Sequence, residues 1–198
     1  MIERKWEGGT AVLIASGPSL TQEDVDYCRG KAHVLVVNDG YRIAPWADAL
    51  YGCDPGWWDY HFDKLTGFQG EKWTSSIQAR EKYGLKWVAG DHKPGLSLSP
   101  DLIHYGSNSG YQALNLAVLF GAKTIYLLGY DMQKTGGKSH WHGNHPPKLN
   151  KSTDYRMFIS RFQSVEPSSL KEAGVTVVNC SRETALYCFP RAVITEVL

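Results

Sequence analysis

The sequence predicts an α/β fold, a Rossmann-like, mostly parallel sheet with helices on both faces in a single domain. Short, continuous apolar runs rich in β-branched residues recur along the chain and alternate with segments of helical period. Strands that are apolar throughout belong to parallel sheets covered on both sides. Several of these runs stop at small or polar residues: Ser16-Gly17-Pro18-Ser19, Asn38-Asp39, Asp54 and Gly129-Tyr130-Asp131. Ligands of such folds bind beyond the carboxyl ends of the strands. Four endings of this kind therefore predict a binding cleft at that edge.

The elements follow in order. Residues 10–16 (TAVLIAS) read as a central strand bounded by glycine. Thr21 reads as the N-cap of a helix running to about residue 28, with Asp24 as its capping partner. Residues 33–38 (HVLVVN) form a second strand and residues 47–52 (ADALYG) a weaker third. Residues 57–65 read as a helix, and residues 72–76 and 85–89 as short strands around a helical turn at 78–83. Residues 91–99 read as a loop. The clearest segment is residues 108–120, a helix with an apolar face and Gly121 as its C′ glycine. Residues 124–128 (TIYLL) form another buried strand. A polar loop at 132–151 is long for such a domain and is placed over the cleft; loops of this length are functional or disordered. Residues 154–173 read as a helix interrupted near Pro167, and 175–179 (VTVVN) as the last strand. The tail, residues 183–198, packs on the domain.

Composition narrows the function classes. With 198 residues, 42% hydrophobic and 21% charged, the chain can bury a core and is unlike a disordered one. Its net charge of +1 and lack of a basic run argue against nucleic acid as a partner. No apolar run reaches a membrane span, and the run at residues 11–15 is too short for a signal-peptide core. These features predict a cytoplasmic protein. Cys28, Cys53, Cys180 and Cys188 lack metal or redox spacing and read as small buried apolar residues in a reducing compartment. Seven Trp and eleven Tyr, as in Trp57-Trp58-Asp59-Tyr60-His61, suit either a core and its rim or a ligand cleft.

Three segments could carry chemistry. Ser16-Gly17-Pro18-Ser19-Leu20 is either an ordinary strand-to-helix turn or a place where glycine admits a ligand to the backbone, with helix N–H groups for an anion. It matches neither the G-x-G-x-x-G fingerprint nor a Walker A loop. Gly106-Ser107-Asn108-Ser109-Gly110 either caps the best helix or presents its N-terminus to a carboxylate or phosphate. Ser139-His140-Trp141-His142-Gly143-Asn144-His145 offers general acid–base chemistry, a metal site, or a solvated loop; its spacing H-x-H-x-x-H matches no strong zinc signature.

In one order along most of the chain, from Ala11 to about Tyr187, these segments resemble the bacterial sialyltransferases of the family that includes the Campylobacter lipooligosaccharide enzymes. They also resemble a wider set of bacterial and phage proteins with a related, DUF115-like domain. Ala15-Ser16-Gly17-Pro18-Ser19-Leu20 resembles the family's G-N-G-P-S-L loop, with Ser16 in place of Asn, and Val37-Asn38-Asp39 its second-strand Asn-Gln pair. Asn108-Ser109-Gly110 through Gly129-Tyr130-Asp131 resembles its T-S-G, helix and I-Y-L-x-G-I-D block. Ser139-His140-Trp141 resembles the S-H-Y that carries the catalytic histidine.

The resemblance implies an inverting glycosyltransferase with a CMP-sialic-acid-like donor, an unknown glycan acceptor, and no metal or resident cofactor, the nucleotide-sugar being a substrate. Ser16, Gly17, Asn38, Asp54, Ser109, Gly129, Tyr130 and Asp131 would surround the donor, with Pro18, Ser19 and Gly110 in the same loops. His140 would take the acceptor's proton. Tyr130, Lys134 and Lys138 would replace the family's phosphate-gripping tyrosine pair. Two other functions fit the related domain. One is ATP-dependent diphosphate transfer, which requires Mg²⁺ and for which Asp54 and Asp131 could supply carboxylates. The other is a non-catalytic nucleotide-binding accessory (phage) protein. In any of these roles the chain could form a homo-oligomer.

Overall fold

The computed structural model describes residues 1–149 and 153–198. The expected α/β fold is present. The strands are β1 (Thr10–Ile14), β2 (His33–Val37), β3 (Ala49–Tyr51), β4 (Glu71–Thr74), β5 (Lys86–Trp87), β6 (Ala89–Asp91), β7 (Leu102–His104), β8 (Thr124–Leu128) and β9 (Thr176–Asn179). The helices are α1 (Gln22–Tyr27), α2 (Pro55–His61), α3 (Ile77–Tyr83), α4 (Ser109–Leu119), α5 (Tyr155–Gln163), α6 (Pro167–Ala173) and α7 (Ile194–Val197). None is long and apolar enough to cross a membrane.

Seven strands form one sheet in the order β5-β4-β3-β2-β1-β8-β9, and every pairing is parallel. Ile14 at the end of β1 pairs with Val36 on one side and Leu128 on the other. The chain winds outward from β1 to β5 and then returns through α4 to lay β8 against the opposite flank of β1. That reversal sets a switch point at the carboxyl ends of β1 and β8, where a crevice opens in folds of this kind.

Strand periodicity sorts the core into two layers. Ala11, Leu13, Leu35, Tyr51, Ile125 and Leu127 face the layer that holds α4 and Phe162 of α5. Val12, Ile14, Val36, Leu50 and Leu128 face the other layer, with Val25 of α1, Trp57 and Trp58 of α2, Ala79 of α3 and Ile194 of α7. Both faces are covered, which is why the strands read as unbroken apolar runs.

Local chemistry fixes the helix ends. Thr21 caps α1 by accepting the Asp24 N–H, and Asn108 caps α4 by accepting the Tyr111 N–H at 2.8 Å. Gly121 follows α4 at φ +96, a conformation that a side chain would oppose. The helical stretch at 154–173 breaks where expected, with Pro167 opening α6.

β7 is not evident from the sequence. It pairs in parallel with β6 as a separate two-stranded sheet, and buried Asn115 of α4 holds the segment in place. Its side chain accepts the N–H groups of Ser97 and His104 and donates to the Ser97 carbonyl. Cys188 is exposed, against the expectation of four buried cysteines; Cys28 and Cys180 are buried and Cys53 partly so. The predicted loop at 132–151 contains one short helical turn, Pro147–Leu149, and its last two residues lie outside the described ones.

Candidate functional site

A cleft of about 450 Å³ lies at the switch point. Its floor is the end of β1 at Ser16, Gly17 and Pro18, with Asn38 after β2 and Asp54 after β3. Ser109 and Gly110 of α4 form one wall, and Gly129 and Asp131 after β8 another. His140 closes it from the loop above. Ten residues singled out from the sequence thus meet in one place. The segment at Met132 and Gln133, together with Tyr155, Met157 and Phe158 of α5, completes the wall; none of these was legible as a site.

Four candidates stand elsewhere or face away. Tyr130 is fully buried, with its hydroxyl donating to the Gly110 carbonyl at 3.0 Å and its ring on Phe162. It buttresses the start of α4 from beneath and does not line the cleft. Ser19 is outside the lining; its N–H donates to Asp131 Oδ2 at 2.7 Å. That bond removes a donor from the predicted anion site before α1. Lys134 and Lys138 are exposed and line no part of the cleft. Thr135 and Lys138 close a tight turn over Gly136 and Gly137, both at positive φ, and the two lysines flank it in solvent.

Gly17 is required by the protein itself. A Cβ there would sit 2.2 Å from Asp131 Oδ1 and 2.5 Å from the Gly129 carbonyl, and the Gly17 N–H donates to that carbonyl at 2.8 Å. Glycine lets the ends of β1 and β8 close on each other, which sets the depth of the crevice.

Backbone strain gathers at the same place. Among the described residues, three non-glycine residues have left-handed backbone: Asn38 (φ 49), Ser107 (φ 62) and Met132 (φ 52). All three line this cleft. Such conformations cost on the order of 1–3 kcal/mol each and persist at sites where function needs them. Asn tolerates the region best, so Ser107 and Met132 carry most of the cost.

Polar atoms are also left over here. Asn38 Oδ1 and Asp131 Oδ1 are buried without a hydrogen-bond partner. Burial pushes the Asp131 carboxyl up to about 6, against the Ser19 hydrogen bond that favours its charged form. The Asn108 cap uses the Tyr111 N–H, which leaves the first-turn N–H groups at Ser109 and Gly110 for a ligand at the open end of α4.

Comparison of the chain with protein-family models, curated proteins and solved structures finds no match.

The histidine segment folds back on itself. The Gly143 N–H donates to the His140 carbonyl at 3.2 Å, and Gly143 at φ +89 reverses the chain. The ring centroids of His140, His142 and His145 come to lie 4.5 to 5.2 Å apart. The Trp141 N–H donates to the Ser16 carbonyl at 3.2 Å, which ties the loop to the end of β1. Burial, with the neighbouring imidazoles, pushes His140 down to about 4. Burial also takes His142 to about 4, although Asp39 opposes it. Both rings are therefore neutral at neutral pH.

Beneath the loop lies Asp39, which the sequence places at a strand ending and in the Val37-Asn38-Asp39 match but not among the site residues. It is buried, and its Oδ2 accepts the Trp57 indole N–H at 3.0 Å. Burial alone would raise its carboxyl, but the Trp57 hydrogen bond and the surrounding imidazoles hold it below the usual range. His61 Nε2 lies 3.8 Å from Asp39 Oδ1 and His145 Nδ1 4.0 Å from Oδ2.

Proposed function

We propose that this chain is a transferase that binds a nucleotide-activated donor, of the CMP-sugar kind, in the switch-point cleft and passes its sugar to a glycan hydroxyl. The observation that carries this reading is the convergence of four strand endings and the α4 N-terminus on one crevice that also gathers the strained backbone. The volume, about 450 Å³, falls within the range of small-molecule sites. The N-terminus of α4 offers N–H donors to the donor's phosphate, whose charge grows as its bond to the sugar breaks.

In the transfer the acceptor oxygen forms a bond to the anomeric carbon. The bond from that carbon to the phosphate oxygen breaks, and its electron pair leaves with the phosphate. The acceptor's proton leaves toward the histidine segment, whose His140 lines the cleft. A second reading, diphosphate transfer from ATP with Mg²⁺, is supported by the placement of Asp54 and Asp131 in the same cleft.

A thermal-shift series with CMP, UDP and ATP tests the reading. CMP at about a hundredfold over its dissociation constant is expected to stabilise the protein by roughly 2.7 kcal/mol. CMP-sugar turnover that is unaffected by Mg²⁺ supports sugar transfer. A shift with ATP alone, with turnover that requires Mg²⁺, supports the second reading. No shift with any nucleotide refutes both.

A further inference from the structure

The three histidines of the loop have a geometry that sequence spacing alone does not show. Their ligand atoms all lie within 4.8 Å of one another. A tetrahedral metal with nitrogen bonds of ~2.0–2.1 Å needs its ligands ~3.3 Å apart, and small ring rotations about the side-chain bonds close that difference. His142 Nε2 and His145 Nδ1 are both buried with no hydrogen-bond partner. Buried imidazole nitrogens left without a partner are costly unless something binds them. The neighbouring Trp141 N–H donates to the Ser16 carbonyl at 3.2 Å, which holds this part of the loop at the end of β1.

Charge agrees with this geometry. Three imidazoles are neutral ligands, so a bound cation needs an anion nearby. Asp39 is that anion, buried, fixed by Trp57 and 4.0 Å from His145. The local sequence builds the arrangement: the turn at Gly143 brings His145 back to His140 and His142, and Pro146 after it disfavours a helical continuation at His145.

We infer that His140, His142 and His145, backed by Asp39, form a binding site for a divalent transition-metal ion, zinc being the best match to three imidazole ligands. His140 and His145 also line the cleft, so a fourth coordination position open to the cleft makes the site catalytic in type rather than structural. The site stands on its own geometry. Its use in catalysis rests on the transfer reading: an ion there would bind the acceptor hydroxyl in place of a proton-accepting His140 and lower its pKa, the proton leaving to water in the open cleft as the oxygen bonds to the anomeric carbon.

The test uses the full chain, stripped with chelator and titrated with Zn²⁺ in competition with a chromophoric chelator. One equivalent is expected to bind, and His142→Ala and His145→Gln are each expected to weaken it by about 100-fold or more. His92→Ala, which alters a histidine placed against Tyr105, is expected to bind as the parent does. Cobalt(II) added to the unaltered protein is expected to give the visible spectrum of a four- or five-coordinate nitrogen site, a readout that needs no variant to fold. A parent that binds no better than His142→Ala, or an octahedral aqua-like cobalt spectrum, overturns the inference. Zinc binding without any nucleotide shift would leave the metal site standing and remove the transfer reading. A nucleotide shift without zinc binding would do the reverse.

Discussion

Gly17→Ala is expected to cost about 2–4 kcal/mol of stability and to abolish the nucleotide-induced thermal shift. The added methyl would stand 2.2 Å from Asp131 Oδ1 and 2.5 Å from the Gly129 carbonyl oxygen. Real atoms do not approach so closely. The carbonyl belongs to the backbone at the end of β8, so no side-chain rotation relieves the clash. The ends of β1 and β8 must part, and the Gly17 N–H loses its 2.8 Å bond to Gly129. Overpacking of this kind costs about 1–3 kcal/mol and the lost bond about 1 more. The cleft loses its floor at the same time. Gly67→Ala is the control: nothing lies within 4 Å of a Cβ at that position, and both stability and the nucleotide shift are expected to stay. Urea denaturation and the thermal-shift series on both variants check this. A Gly17→Ala protein as stable and as responsive as the parent would mean that the two strand ends are farther apart than described.

Asp131→Asn is expected to stabilise the protein above neutral pH, by up to about 3 kcal/mol. Burial raises the Asp131 carboxyl from an unfolded value of 3.8 to about 6. A group whose folded pKa is raised contributes stability that is fully present below the unfolded pKa and lost as pH rises through the folded one. The window therefore runs from about pH 4 to pH 6, and two units correspond to about 3 kcal/mol. Asparagine never ionises, so its advantage over the parent is expected to be near zero at pH 4 and to grow toward pH 7. For a chain of this length that is a rise in Tm of roughly 6–12 °C. His140 and His142, both depressed to about 4, act in the opposite sense and lose stability as pH falls from about 6.5. The parent's own pH profile mixes the two effects, whereas the difference between parent and Asp131→Asn isolates the carboxylate. A difference that is flat from pH 4.5 to 8 would contradict the buried setting described for this group. A carboxylate kept at a cost to stability is what a functional cleft contains.

Much of the fold was legible because it depends on local chemistry. Buried parallel strands need continuous apolar runs, and caps such as Thr21, Asn108 and Gly121 mark helix ends at fixed positions. The cleft was legible because strand endings in a parallel sheet all reach the same edge. Side-chain direction at those endings was not. Gly129 at φ +69 breaks the strand alternation, so Tyr130 turns inward beneath α4 while Asp131 faces Gly17. Neighbours in sequence thereby take opposite roles. The lysines at 134 and 138 suited a phosphate by charge, yet the Gly136-Gly137 turn leaves both in solvent. Asp39 is not legible as a site because its partners come from two segments distant from it, Trp57 and His61 from α2 and His145 from the histidine loop. The short β7 gave no periodic signal, since three residues are too few to show one.

Crystals of the protein soaked in CMP test the central claim most directly. Density for the nucleotide is expected between the turn after β1 and the first residues of α4, within reach of Asn38 and Asp131. Density confined to another hollow, such as the one lined by Lys5, Glu71 and Trp73 at the opposite sheet edge, or no density at a saturating concentration, would contradict it.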